Sequence, residues 1–138
     1  MSTQLAKGRR NCGESRRETA LREVTEETGF ACRLLPVNMH TRAPPAIETE
    51  QLDDLARFYT NICEPFTLQI RRFKHNNVKL IWWFVAVVDE DVSPKETMED
   101  RCVVEFYSYT EVLNKLTFQM DRDMVKKAIK IVENTYTE

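Results

Sequence analysis

Four glutamates crowd one short stretch of the chain: Glu14, Glu23, Glu26 and Glu27. On a helix, Glu23 and Glu27 lie one turn apart and stack on one face, while Glu26 flanks Glu23. Like charges at such spacings weaken a helix unless a cation lies between them. Carboxylates are hard oxygen donors, which suit Mg²⁺ or Mn²⁺ better than zinc. Arg22 stands where it can pair with Glu18 and Glu26 at helical spacing, orienting one acid and leaving the others free. Lys7, Arg9 and Arg10 crowd the segment just before, and arginine forks grip phosphate oxygens in pairs. Together these residues could hold a divalent cation beside groups able to bind phosphate. The competing account is a solvated, salt-bridged helix face with a basic stretch that aids solubility.

The elements that must position these groups can be read from the pattern. Ser15 to Thr28 is expected to be a helix. Ser15-Arg-Arg-Glu18 has the form of a capping box, and Ala20, Leu21 and Val24 make a narrow apolar stripe. Gly29 stands where a helix commonly exits through a left-handed residue. Strands are expected over Phe30 to Val37 and over Arg57 to Ile62. Between them Thr41 to Asp54, with Pro44-Pro45 and several acids, reads as a loop. Phe66 to Phe73 and Val78 to Val88 read as a hairpin about the turn Lys74 to Asn77. An acidic loop, Asp89 to Asp100, precedes a strand over Cys102 to Tyr107. A short helix over Thr110 to Leu116 and a longer one over Asp121 to Glu133 follow. Met124, Val125, Ala128, Ile129 and Val132 fall on one face of the latter. Trp82 and Trp83 must point to opposite faces of their strand, one toward the core and the other free to stack.

Bulk composition narrows the function classes. The chain has 138 residues, enough for one domain, and a net charge of −2. That balance gives no general pull on nucleic acid or on an anionic membrane. The longest apolar run, Leu80 to Val88, suits a buried strand rather than a membrane span. The first residues lack the apolar core of a signal peptide, so a cytoplasmic protein with reduced cysteines is expected. Cys12, Cys32, Cys63 and Cys102 form no CxxC pair and lie far from His40 and His75, which disfavours a zinc site. Only three glycines occur, Gly8, Gly13 and Gly29, where average usage gives about ten. All three fall in the acid-rich stretch, where the backbone has most to do.

The stretch reads Gly8, five residues, Glu14, seven residues, then Arg22-Glu23-Val24-Thr25-Glu26-Glu27-Thr28-Gly29-Phe30. This is the order of the Nudix box, and the sequence resembles the Nudix hydrolase family from Gly8 to Phe30 without a gap. The resemblance implies an α/β fold, an α/β/α sandwich with a mixed sheet in which the box is a loop-helix-loop. It implies hydrolysis of a diphosphate linkage in a nucleoside diphosphate joined to another group. Glu23, Glu26 and Glu27 match the family's metal-binding glutamates, and the Gly8 carbonyl matches a further metal contact. Glu14 matches an acid near the metal cluster that often acts through water. Arg22 matches the arginine that orients the box carboxylates. The general base is either a box glutamate such as Glu26 or Glu27, or an acid in a later loop, where Glu96, Glu99 and Asp100 are available. Glu99 and Asp100 stand just before the strand beside which related enzymes often place it.

The run Leu5-Ala6-Lys7-Gly8-Arg9 resembles the Leu-Pro-Lys-Gly-Arg start of relatives acting on diadenosine polyphosphates and diphosphoinositol polyphosphates, with Ala6 in place of the proline. Family domains carry several strands before the box, whereas seven residues precede Gly8 here. The expectation is therefore a single, partial domain over residues 1–138 that lacks those strands, with reduced stability and an open sheet edge that favours a homodimer. A non-catalytic Nudix-fold protein that binds a nucleotide or a partner, or an inactive truncated form, is the alternative to an enzyme.

Overall fold

The computed structural model describes residues 3–45, 47, 53–94 and 103–137. The acid-rich stretch folds as expected into a loop followed by helix α1, Arg16–Thr28. Ser15 caps it, its Oγ accepting the Glu18 backbone N–H at 3.1 Å. Only this half of the reciprocal capping box forms, since the Glu18 side chain does not return to the Ser15 backbone. Gly29 closes the helix with a left-handed φ of 79° and donates its N–H to the Thr25 carbonyl at 2.8 Å. Thr19 is the one buried residue of α1. Ala20, Leu21 and Val24 line a cleft instead of entering the core.

The run expected as one strand over Phe30 to Val37 is two. Strand β1 is Cys32–Leu34 and strand β2 is Val37–Thr41. Pro36 has no N–H to offer a ladder and separates them. The ladder resumes at Val37 and reaches Thr41, the expected first loop residue, because β3, Arg57–Ile62, pairs antiparallel with it. The register slips between Val37 and Met39, where Asn61 takes a positive φ of 56° and its N–H bonds the Asn38 side chain at 2.9 Å. That is the bend of a β-bulge.

The expected hairpin forms from β4, Thr67–Arg72, and β5, Val78–Trp83. Its turn holds His75 and Asn76, with φ of 62° and 59°. Beyond residue 30 the chain has no glycine, and among the described residues the left-handed positions there fall to Asn61, His75 and Asn76. Histidine and asparagine are among the non-glycine residues that visit this region most readily. The run Val78 to Val88 also divides. It breaks at Phe84-Val85, and β6, Ala86–Val88, leaves β4 to pair with β1.

The described strands thus form three two-stranded antiparallel ladders, β1–β6, β2–β3 and β4–β5. Two interruptions hand consecutive strands to different neighbours, and each of these pairings is antiparallel. The α/β class stands. Residues Val103 to Tyr107 join no ladder, contrary to the strand expected over Cys102 to Tyr107. Val103 is 75% exposed and Phe106 70%, although the Phe106 ring packs edge-on against Phe30 with centroids 5.3 Å apart.

Two helices complete the chain, α2 at Tyr109–Lys115 and α3 at Gln119–Tyr136. Helix α3 extends beyond the expected bounds at both ends and lies against β2. The Asn38 backbone N–H donates to Thr135 Oγ1 at 2.9 Å, and the Tyr136 hydroxyl donates to the Pro36 carbonyl. The core gathers Val37, Met39, Phe66, Ile81, Trp83 and Met124, flanked by Val125, Ala128, Ile131 and Val132 of α3. Ile131, not Ile129, joins this face. The segment before the box forms no strand among its described residues. It is pinned to the α2–α3 connection by Thr3 N–H to Thr117 Oγ1 at 2.8 Å and Thr117 N–H to the Thr3 carbonyl at 3.3 Å. No helix among the described residues is long and apolar enough to cross a membrane.

Candidate active site in the loop and helix of the acidic stretch

Arg22 organises the acidic stretch. Its Nε and Nη2 donate to the two oxygens of Glu14 at 2.7 and 3.1 Å. Its Nη1 donates to Glu23 Oε1 at 2.8 Å and to Glu26 Oε2 at 3.0 Å. Its Nη2 also reaches the Arg9 carbonyl at 2.8 Å. One planar guanidinium therefore ties the loop to the helix and draws three carboxylates around itself. The Glu26 pairing expected from helical spacing is present. The expected pairing with Glu18 is replaced by bonds to Glu14 and Glu23, because the preceding loop folds back over the helix and offers a better acceptor.

Glu14 is held from several sides. Besides Arg22, its Oε1 accepts the Asn11 N–H at 3.0 Å and the hydroxyl of buried Thr19 at 2.7 Å. These bonds favour the charged form. Arg22 first, then Asn11 and Thr19, bring its pKa down to about 2. The hydrogen bonds to Glu14 foremost, and then to Glu23 and Glu26, raise the pKa of Arg22. Both oxygens of Glu14 are thus engaged inside the protein, which makes it the strut of the loop.

Gly8 is there for space. A Cβ built on Gly8 would collide with the carboxylate of Glu23, so the bare backbone lies directly against that acid. Gly13, by contrast, has open space around it and a φ of 79°, so its demand is conformational. Gly8 and Glu23 lie fifteen residues apart in the sequence, yet the loop and helix bring them into contact.

Lys7 is half-buried. Burial first, and then the nearby cations Arg71 and Lys79, lower its pKa, while Asp121 and Glu27 oppose the shift. Arg9 and Arg10 are exposed beside it, and all three line a cleft of about 1160 Å³. The cleft runs between the box helix and strand β5, with Met124 and Ala128 of α3 at its floor. Trp83 is buried and donates its indole N–H to Gln69 Oε1 at 3.3 Å. Trp82 faces the other way, with the Arg16 guanidinium 4.5 Å from its ring centroid. Cys12 is exposed. Glu96, Glu99 and Asp100 lie outside the described residues.

The structure therefore gathers Gly8, Glu14, Arg22, Glu23 and Glu26, and sets Glu27 and Lys7 within electrostatic reach of each other. The donor set fits a divalent cation in kind. Glu23 and Glu26 converge on one cationic nitrogen, and the backbone of Gly8 is open toward Glu23. Among the described residues, no three acidic, imidazole or thiol groups stand together as a preformed metal cage.

Sequence reasoning missed Asn11 and Thr19 as supports of Glu14. It also missed Arg71, Lys79 and Asp121 as neighbours of Lys7. The first pair carries no sequence signal. Arg71 and Lys79 flank the recognised hairpin turn, but a register symmetric about Lys74 to Asn77 would pair Arg71 with Leu80, one residue away from the pairing the ladder makes. The family model described as NUDIX domain matches residues 2–128 of the chain. No curated protein matches it.

Proposed function

Because the chain belongs to the Nudix family, in which hydrolysis with a divalent metal is the general activity, we propose that it cleaves a diphosphate linkage in a nucleoside diphosphate joined to another group. Glu23, Glu26 and Glu27, together with the Gly8 carbonyl, would hold Mg²⁺ or Mn²⁺. The observation that carries this reading is the Arg22 hub, whose single guanidinium binds Glu14 of the loop and Glu23 and Glu26 of the helix. A divalent cation bound there neutralises diphosphate oxygens and lowers the pKa of an attacking water. Arg22 orients the carboxylates and offsets their mutual repulsion. Glu14 secures the loop that carries Gly8. Lys7, Arg9 and Arg10 hold substrate phosphates at the mouth of the cleft. Glu26 or Glu27 accepts the water's proton, unless Glu99 or Asp100 does so.

The test is incubation with Mg²⁺ or Mn²⁺ and a panel of dinucleoside polyphosphates, nucleotide sugars, nucleoside triphosphates and diphosphoinositol polyphosphates. Glu27→Gln serves as control. Metal-dependent cleavage that this substitution abolishes is the expected result. No cleavage of any member of the panel would transfer support to a non-catalytic nucleotide-binding protein, a reading favoured by the lack of a preformed three-ligand cage among the described residues.

A further inference from the structure

The inner face of the β4–β5 hairpin ends in an anomaly. Arg71 and Lys79 are direct cross-strand partners, so two like charges face each other on adjacent strands. Such pairs destabilise a hairpin unless an anion lies between or above them. Farther along the same face, Gln69 stands opposite Ile81 and Thr67 opposite Trp83, and Gln69, Ile81 and Trp83 are buried. The two cations thus sit where the core face opens toward solvent. Lys7, in the segment before the box, lines the same cleft as Lys79 and lies within electrostatic reach of both.

The protein supplies little to satisfy these cations. Asp121, in the first turn of α3, is 2% exposed, and its Oδ1 is 3.6 Å from Arg71 Nη2. That is an ion pair too long to be a hydrogen bond, and Asp121 Oδ1 has no hydrogen-bond partner. Lys7 Nζ makes one long bond, to Gln4 Oε1 at 3.4 Å. Lys79 makes no hydrogen bond or ion pair among the described residues and lines the cleft. A guanidinium and two ammonium groups thus leave a surplus of N–H donors at this end of the hairpin.

We propose that Lys7, Arg71 and Lys79 form an anion subsite that takes a further phosphate of the substrate, beyond the diphosphate cleaved at the box. A terminal phosphate presents about two negative charges and three acceptor oxygens, which matches one fork and two point charges. The subsite adjoins the box, since Lys7 precedes Gly8 in the chain, Gly8 lies against Glu23, and Glu27 is among the charges acting on Lys7. The substrate class is then polyphosphorylated, with a phosphate group reaching past the scissile linkage toward the hairpin. As a statement about substrate this rests on the hydrolase reading; as an anion site it does not.

The first measurement uses inorganic tripolyphosphate and the full chain, titrated by calorimetry with divalent cations chelated. Wild type binds. Lys79→Met and Arg71→Gln each weaken binding about tenfold or more, and Lys79→Arg restores it. Lys74→Met, at an exposed lysine in the same hairpin turn, has little effect. Lys79 is exposed, so its variants keep the wild-type circular dichroism and thermal transition. The second measurement adds Mg²⁺ and compares a dinucleoside polyphosphate with a nucleotide sugar that has only the diphosphate. Lys79→Met raises KM about tenfold for the former, leaving kcat and the nucleotide sugar's KM unchanged. Equal weakening by Lys74→Met and Lys79→Met, or equal KM effects on both substrates, overturns the subsite. Lys79-dependent tripolyphosphate binding without turnover of any substrate upholds the subsite and defeats the hydrolase reading.

Discussion

The box loop and helix differ from the β4–β5 hairpin in how their order is maintained. The box is polar and local. Its contacts are charge-assisted hydrogen bonds among Arg9, Asn11, Glu14, Thr19, Arg22, Glu23 and Glu26, and the longest spans thirteen residues. Little of it enters the core, where Thr19 is the helix's only buried residue. The hairpin is tertiary. One face packs Ile81 and Trp83 against Val37, Phe66 and Met124, whereas Leu68, Ile70, Leu80 and Trp82 on the other remain exposed. A chemical site can thus be assembled from neighbours in sequence, while its placement over a cleft depends on a separate apolar scaffold.

Substitutions can break or sharpen this contrast. The largest effect is expected from the scaffold: Trp83→Ala removes a buried indole and should cost about 3–5 kcal/mol in chemical denaturation. Activity at the reduced unfolding temperature falls with the folded fraction. The second is at the hub. Arg22→Met leaves the core intact but releases Glu14, Glu23 and Glu26, so metal affinity or turnover should drop about 10–100-fold with a much smaller change in melting temperature. A melting loss as large as that of Trp83→Ala would erase the distinction. Gly8→Ala comes third. The new methyl displaces the Glu23 carboxylate rather than backbone, so metal affinity measured by titration should fall about tenfold with folding retained.

The fourth effect depends on pH. The pKa of Glu14 is lowered from 4.5 to about 2. A depressed carboxylate contributes stability that is present above the unfolded pKa and lost as pH falls through the folded one. Thermal transitions recorded from pH 5 to pH 2 should therefore show a progressive loss in wild type that is smaller in Glu14→Gln. The smallest effect is on the outer face of the hairpin. Leu80 is 53% exposed, and Leu80→Ser should change stability by less than about 0.5 kcal/mol. A larger loss would show that this apolar face is covered in solution, as the homodimer expected from an open edge requires.

The legible parts of the sequence were those governed by local rules. The helix bounds, the serine cap and the Gly29 exit follow from backbone groups that must be satisfied within a few residues. The hairpin was legible because a turn lay between two apolar runs. The strands over Phe30 to Val37 and Val78 to Val88 were misread as continuous. Apolar composition does not reveal where a chain changes partner, although Pro36 marked one of the two breaks. Val103 to Tyr107 has strand-like composition but joins no ladder, since composition alone does not supply a partner strand.

By itself the sequence determined the chemistry of the box: which carboxylates stand on one helix face, which arginine is near them, and where the backbone must lack a side chain. Spacing along a helix sets distances within about one turn, so this information survives without the rest of the fold. Only the tertiary structure decided that Gly8 lies against Glu23, that Arg22 takes Glu14 rather than Glu18, and that Lys7 meets Arg71 and Lys79 at the end of a hairpin. Those contacts join segments whose separation the chain does not constrain. The last of them follows the packing of Ile81 and Trp83 with Met124 of α3, which sets the hairpin beside the cleft that Lys7 and Lys79 line.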